Sequence, residues 1–213
     1  MIDRERSALV IVDVQPDFMA GGPLAIRGAE AILAPLAQLL AADRFSLVVA
    51  AQDWHPPGHV SFASRHPGRK LFEHISVCGH DQGLCADHCV AGTPGAVLHP
   101  QLPQESIDVI VRKGTHRDVD SYSAFRNNWD EAGRRLPTGL AGLLREKGVS
   151  DVYVAGLARD VCVKWTAEDA ADLGLATTVI WDLTRPVNPA SDDRVRQALA
   201  GADVRMAESL ELL

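Results

Sequence analysis

Apolar runs alternate with amphipathic stretches along the chain. Ser7-Ala-Leu-Val-Ile-Val-Asp13 is apolar throughout and ends on a carboxylate, the pattern of a central parallel strand buried on both faces. An alanine- and leucine-rich helix is predicted from about Ala29 to Asp43, and a second buried strand from Phe45 to Gln52, ending at Asp53-Trp54-His55. Ser106 to Arg112 reads as a third strand, closed by Lys113-Gly114, and Asp151 to Ala155 as a fourth, stopping at Gly156. A helix over about Thr138–Lys147 leads into that fourth strand. A second helical pattern starts at about Asp160 and carries Val163, Thr166, Ala167 and Ala170. Ala176 to Asp182, a helix over about 190–200 and a short strand near Asp203–Met206 complete the pattern. From Pro56 to Pro103 the chain is rich in Gly, Pro and His and has little periodicity, and a segment of that kind inside a compact domain is usually functional.

Strands alternating with helices imply βαβ units and an α/β fold, three layers with a mainly parallel six-stranded sheet in the middle. With 213 residues, 46 % of them hydrophobic, residues 1–213 can bury one full core as a single domain. The layout is Rossmann-like. The glycine fingerprint of dinucleotide binding is missing, however, since the first strand runs into Asp13-Val-Gln-Pro-Asp-Phe18. The formal net charge of −7 argues against nucleic acid as a partner. No stretch approaches the roughly 18 apolar residues of a membrane helix, and the first residues lack a signal-peptide core. Four cysteines make no secreted disulfide framework at this length, so a cytoplasmic protein with reduced thiols is expected.

Open parallel sheets build their sites outside the carboxyl ends of the strands. Asp13, Asp53 with His55, Lys113 and Cys162 each follow a successive apolar run. Cys162 falls in the first turn of a helix that directly follows a strand, where unpaired N–H groups and the helix dipole favour a thiolate or a developing oxyanion. The plainer reading is a small apolar residue in a helix core. Asp13 could take the thiol proton and return it to a leaving amine, or could be a turn aspartate. Lys113 is one of four lysines in a chain that otherwise uses arginine; its ammonium could favour thiolate and carboxylate together, or simply end a strand. Asp53-x-His55 offers two metal ligands on an extended backbone, with His88 as a third and His59 and His66 as nearer competitors. Cys78, Cys85 and Cys89 with His88 could instead hold structural zinc, although no Cys-x-x-Cys spacing occurs among them.

Several blocks together resemble the nicotinamidases, within the isochorismatase-like cysteine hydrolases. They are Val12-Asp-Val-Gln-Pro-Asp-Phe18, Gln52-Asp-Trp-His-Pro-Pro57, Ser61-Phe-Ala-Ser64, Asp87-His-Cys-Val90, Lys113-Gly114, Asp120-Ser-Tyr-Ser-Ala-Phe125 and Gly156-Leu-Ala-x-Asp-x-Cys162. The resemblance runs in order through nearly the whole chain. It implies an isochorismatase-like fold and hydrolysis of nicotinamide to nicotinic acid and ammonia. It implies Cys162 as nucleophile, Asp13 as general base and acid, and Lys113 as their electrostatic partner. Asp53, His55 and His88 match the ligands of one divalent metal ion (zinc first, then iron or manganese), with water or a hydroxyl such as Ser61 completing the shell. A cis bond between Leu157 and Ala158 would aim the Ala158 N–H inward, to form an oxyanion hole with that of Cys162. Phe18, Tyr122, Cys85 and Leu157 correspond to substrate-facing positions. A homo-oligomer is implied, since such proteins are often dimers or tetramers.

Two positions depart from the pattern. Cys85 stands where a tryptophan usually stacks on the pyridine ring, and Arg159 replaces a threonine beside the nucleophile. Arg159 is expected to face solvent, or else to bind a carboxylate on a larger substrate. Three rival functions follow: hydrolysis of another small amide (a substituted nicotinamide, a carbamoyl or a ureido compound), isochorismate hydrolysis, and a non-catalytic binding protein. The metal set counts against carbamoyl or ureido compounds, Cys162 against isochorismate, and the intact triad against the third.

Overall fold

The computed structural model describes residues 2–213. Its strands are β1 (Ser7–Val12), β2 (Leu47–Asp53), β3 (His74–Val77), β4 (His80–Gly83), β5 (Val109–Lys113), β6 (Arg126–Trp129), β7 (Arg135–Pro137), β8 (Asp151–Leu157), β9 (Ala176–Arg185) and β10 (Arg205–Ala207). Its α-helices are α1 (Leu33–Ala41), α2 (Leu140–Glu146), α3 (Lys164–Asp172) and α4 (Asp192–Gly201). Six strands form one parallel sheet in the order β10-β9-β8-β1-β2-β5. Every residue of β1 is buried. Its side chains alternate, as a strand demands, between two cores. Leu9 and Ile11 join Leu33, Leu36 and Leu39 of α1 on one face, while Ala8, Val10 and Val12 join Leu140, Leu144, Ala167, Val195 and Leu199 from α2, α3 and α4 on the other. This is the three-layer α/β fold expected from the periodicity. Among the described residues, no helix is long and apolar enough to cross a membrane.

Differences from the sequence reading fall where packing overrides pattern. The helix predicted over 29–43 opens with a tight turn at Ala29–Ile32 before α1. The third predicted strand is the sheet edge β5, shorter than expected, with Ile110 half exposed. The segment 56–103 contains the hairpin β3–β4, and β6–β7 forms a second hairpin. Neither hairpin shows a hydrophobic alternation, because both are short and largely polar. The β3–β4 turn is Cys78-Gly79 with φ of 51° and 80°, a two-residue turn in which Cys78 occupies a position that usually favours Gly or Asn.

Strand register positions the site. Val12 of β1 pairs with Ala51 on one side and Gly156 on the other, and Asp53 of β2 pairs with Lys113 of β5. The residues just past these pairs therefore emerge side by side at one end of the sheet. Gly156 has a φ of 114°, and a Cβ there would collide with the backbone carbonyl of Val12. Gly156→Ala is thus expected to destabilise the protein by about 3 kcal/mol through backbone strain and overpacking. That loss lowers Tm by about 6–12 °C for a chain of this size. Gly201→Ala, where a Cβ meets nothing within 4 Å, serves as the control in the same thermal melts.

Candidate active site

Asp13, the first residue after β1, is fully buried and adopts a φ of 52°. Its N–H donates to the Ala51 carbonyl at 2.9 Å, which turns the side chain toward β5 and β8. Lys113, 1 % exposed at the end of β5, lies below the same point. Its Nζ is 2.9 Å from Asp13 Oδ2, 2.6 Å from Asp53 Oδ1, 3.1 Å from the Ser121 carbonyl and 3.5 Å from Cys162 Sγ. Among the described residues, neither Asp13 oxygen receives an aligned hydrogen bond, so the carboxylate keeps accepting capacity. Side-chain ligand atoms of Asp13, Asp53 and Cys162 all lie within 4.8 Å of one another.

The charges in this cluster are unequal in standing. Burial and then the charge of Asp53 push the Asp13 pKa up to about 7, against the pull of Lys113. For Asp53, burial opposes ionisation but Lys113 and His55 outweigh it, and the group stays well below the usual carboxylate range. Burial alone would discharge Lys113, yet Asp13 and Asp53 hold it firmly protonated. Burial raises the Cys162 thiol, opposed by Lys113, so the resting sulfur keeps its proton. The sequence pattern predicts a thiol activated by a helix N-terminus. Instead the turn is wide: Arg159–Val163 forms a π-type turn in which the Ala158 carbonyl accepts from Val161 and Val163, and α3 follows.

Asp53, His55 and His88 form a second cluster that shares Asp53 with the first. Asp53 Oδ2 lies 3.5 Å from His55 Nε2 and 3.9 Å from His88 Nε2, too far for hydrogen bonds but suited to ligand atoms around one ion. Each ring is oriented through its other nitrogen, His55 Nδ1 by the Gly114 carbonyl at 2.9 Å and His88 Nδ1 by the Ala86 carbonyl at 2.8 Å. A metal-ligating histidine is usually fixed in this way, and the arrangement leaves Nε2 free to ligate. The donor set of two imidazoles and a carboxylate fits a divalent ion. His59, a competitor for third ligand, is buried and stacks on His55 at 4.1 Å; burial pushes its pKa down to about 4. Its Nδ1 engages the Ser61 hydroxyl at 2.8 Å, while Nε2 points to Asp120 from 4.0 Å. His66 bonds the Val60 carbonyl and lies outside both clusters. The cysteine–zinc alternative fails on placement, because among the described residues Cys78, Cys85 and Cys89 join no ligand group with His88.

Both clusters meet a largely apolar cavity of about 500 Å³. Phe18, Cys85, Tyr122, Ala158 and Cys162 line it, alongside Asp53, His55 and His88. Leu157, expected on this wall, is instead fully buried in the core, because strand alternation at the end of β8 turns it inward and leaves Ala158 on the surface of the cavity. The Leu157–Ala158 peptide is cis. Cys85 leaves no ring at its position, and burial first, then Asp120, pushes its pKa up to about 12, so it stays a neutral thiol. Aromatic surface comes from elsewhere: Tyr122, Trp165 and Trp129 pack edge to face, and His80 of β4 stacks on Trp129 at 4.0 Å. Those two tryptophans went unread because they act through the unpredicted hairpins and the outer face of α3. Gln15 and Gln82 also went unread. Gln15 brackets Asp53 through its backbone carbonyl (2.9 Å) and N–H (2.8 Å), and Gln82 donates to Asp120 and Tyr122. No local sequence signal marks a buried glutamine of this kind. Arg159 neither faces solvent nor reaches the cavity: it is 5 % exposed and paired with Asp192.

The sequence matches the isochorismatase domain over residues 7–209. It is 46 % identical over 181 residues to a nicotinamidase of Acinetobacter baylyi, covering 85 % of this chain and 82 % of that one. The structure of a nicotinamidase pyrazinamidase from Acinetobacter baumanii is similar at a TM-score of 0.92 and 42 % identity, covering 99 % of this chain and all of that one. PnC1 from L. infantum, solved in complex with nicotinate, aligns at a TM-score of 0.86 and 36 % identity over 99 % of this chain and 96 % of its own. A chain with this sheet, this cluster and these identities belongs to the isochorismatase family, among its nicotinamidases.

Proposed function

We propose that this protein hydrolyses nicotinamide to nicotinic acid and ammonia through a thioester on Cys162. The observation that carries the reading is the buried group of Asp13, Lys113 and Cys162, whose Cys162 lines a cavity that Asp53, His55 and His88 also line. Its likeness to nicotinamidases supplies the substrate class. Asp13 takes the Cys162 proton, and the Lys113 ammonium 3.5 Å from sulfur stabilises the thiolate as it forms. The thiolate adds to the carboxamide carbon. The developing oxyanion is received by the N–H groups of Ala158 and Cys162. Asp13 returns its proton to the departing nitrogen, ammonia leaves, and Asp13 then draws a proton from the water that cleaves the thioester. Asp53, His55 and His88 would hold one divalent ion, zinc, iron or manganese, since two imidazoles and a carboxylate suit each of them. When bound, it supplies a Lewis acid for the pyridine nitrogen. Phe18 and Tyr122 flank the ring space.

Hydrolysis of a bulkier amide is the second reading, and the observation favouring it is the 500 Å³ cavity in which Cys85 replaces a ring-sized wall. Ammonia release from nicotinamide against release from ring-substituted amides separates the two.

Cys162→Ala is expected to lower kcat by more than about 10⁴-fold while the protein still binds nicotinate; appreciable ammonia release by this variant contradicts the thioester route. Chelation should act mainly on binding. Losing about 1.4 kcal/mol of ring binding raises KM tenfold, restored on reloading with zinc, and an unchanged KM in demetallated protein removes the ligand assignment. Asp13 must be ionised to act as base, and burial beside Asp53 raises its pKa to about 7. The kcat/KM profile should therefore be flat above that value and fall about tenfold per pH unit below it. A profile that stays level down to pH 5 assigns the base elsewhere.

A further inference from the structure

Arg159 follows Ala158 and opens the turn carrying Cys162, yet its side chain runs away from the cavity to Asp192 at the start of α4. There four of its five N–H donors are employed. Nε donates to Thr184 Oγ1 at 2.8 Å, Nη2 to the carbonyls of Thr184 at 2.8 Å and Trp181 at 3.1 Å, and Nη1 to Asp192 Oδ2 at 2.7 Å. The guanidinium lies 3.9 Å from the centre of the Trp181 ring, on which Arg196 of α4 also stacks at 3.7 Å. These partners mark an irregular place in the sheet. The pairing of β8 with β9 jumps from Val154↔Val179 to Gly156↔Thr184, so β9 carries extra residues beside the strand end that leads to Ala158 and Cys162. Arg159 is the side chain that ties this irregularity, α4 and the nucleophile turn together. Its planar fork of donors suits the task, and a lysine could meet only part of it.

We infer that Arg159 is a positioning residue for amide hydrolysis: braced on β9 and α4, it holds the Ala158 N–H and Cys162 Sγ at a fixed separation. The inference rests on the hydrolytic reading above. The ring-flanking side chains Phe18 and Tyr122 and the ligand set sit on other elements, so loosening this brace disturbs the reacting centre and spares substrate binding. A displacement on the order of 1 Å at such a centre can cost about a hundredfold in rate.

The test compares the metal-loaded parent with Arg159→Ala, Arg159→Lys and Asp192→Asn. It measures kcat and KM for nicotinamide and, separately, the rate of iodoacetamide alkylation read at the Cys162 peptide. Arg159→Ala should lose about tenfold or more in kcat with KM within about twofold, and its alkylation should slow in parallel. Arg159→Lys should recover part of the loss, and Asp192→Asn should show a smaller loss of the same kind. A folded Arg159→Ala with parental kcat, or a loss confined to KM, overturns the inference. If that variant does not fold, parental kcat in both of the others overturns it equally. If the parent releases no ammonia from nicotinamide, the alkylation comparison still decides. Equal rates remove the brace, and slowed rates in the variants sustain it, leaving the fault with the substrate assignment.

Discussion

A single buried ammonium organises this molecule. The Lys113 side chain has no access to solvent, and its charge is tolerable only because Asp13 and Asp53 approach it at 2.9 and 2.6 Å. The converse also holds. Two carboxylates that close in a dry interior cannot both ionise without a cation between them. Lys113 favours Asp53, which stays ionised, and leaves Asp13 near neutrality in its affinity for a proton. That inequality leaves one aspartate a fixed charge and the other able to gain or lose a proton near neutral pH, the difference on which acid–base chemistry can draw.

Asp53 joins the two halves of the site. One of its oxygens accepts from Lys113 and the other faces His55 and His88, so the Asp13–Lys113–Cys162 cluster and the Asp53–His55–His88 cluster are a single electrostatic unit. Gln15 grips the backbone of Asp53 on both sides, which keeps that shared residue from following either partner. A cation drawn to Asp53, His55 and His88 would further depress competition from Asp53 for the lysine's proton. The two clusters are in this way coupled through one carboxylate rather than built as separate sites.

Around this unit the chain spends ordinary packing to obtain fixed positions. The turn carrying Cys162 is anchored by consecutive residues: Arg159 to β9 and α4, and Asp160 to the backbone N–H groups of Val187 and Asn188 at 2.8 and 2.9 Å. The opposite wall depends on polar contacts from a hairpin, with Gln82 donating to both Asp120 and Tyr122. Preorganised donors and a buried cation cost stability when made and do not have to be reorganised during reaction.

The sequence alone determined the layers, because uninterrupted apolar runs such as Ser7–Val12 have no stable place except between two helical faces, and that period is a local property of the chain. It also determined which residues leave the sheet at one end, since Asp13, Asp53, Lys113 and Cys162 each follow such a run. The family resemblance rested on the same blocks. Tertiary structure decided what those residues are to one another. Strand register sets Lys113 opposite Asp53. The protonation order of Asp13, Asp53 and Cys162 arises from mutual burial that no linear spacing encodes. The hairpins bearing His80 and Trp129 carry no periodic signal, because they are held by contacts made across the fold. Arg159 reads as a surface residue until the irregular pairing of β8 and β9 supplies acceptors for its guanidinium, and Leu157 reads as a wall residue until the alternation at the end of β8 sends it inward. Burial is a sum over distant parts of the chain, which is why these last assignments required the folded molecule.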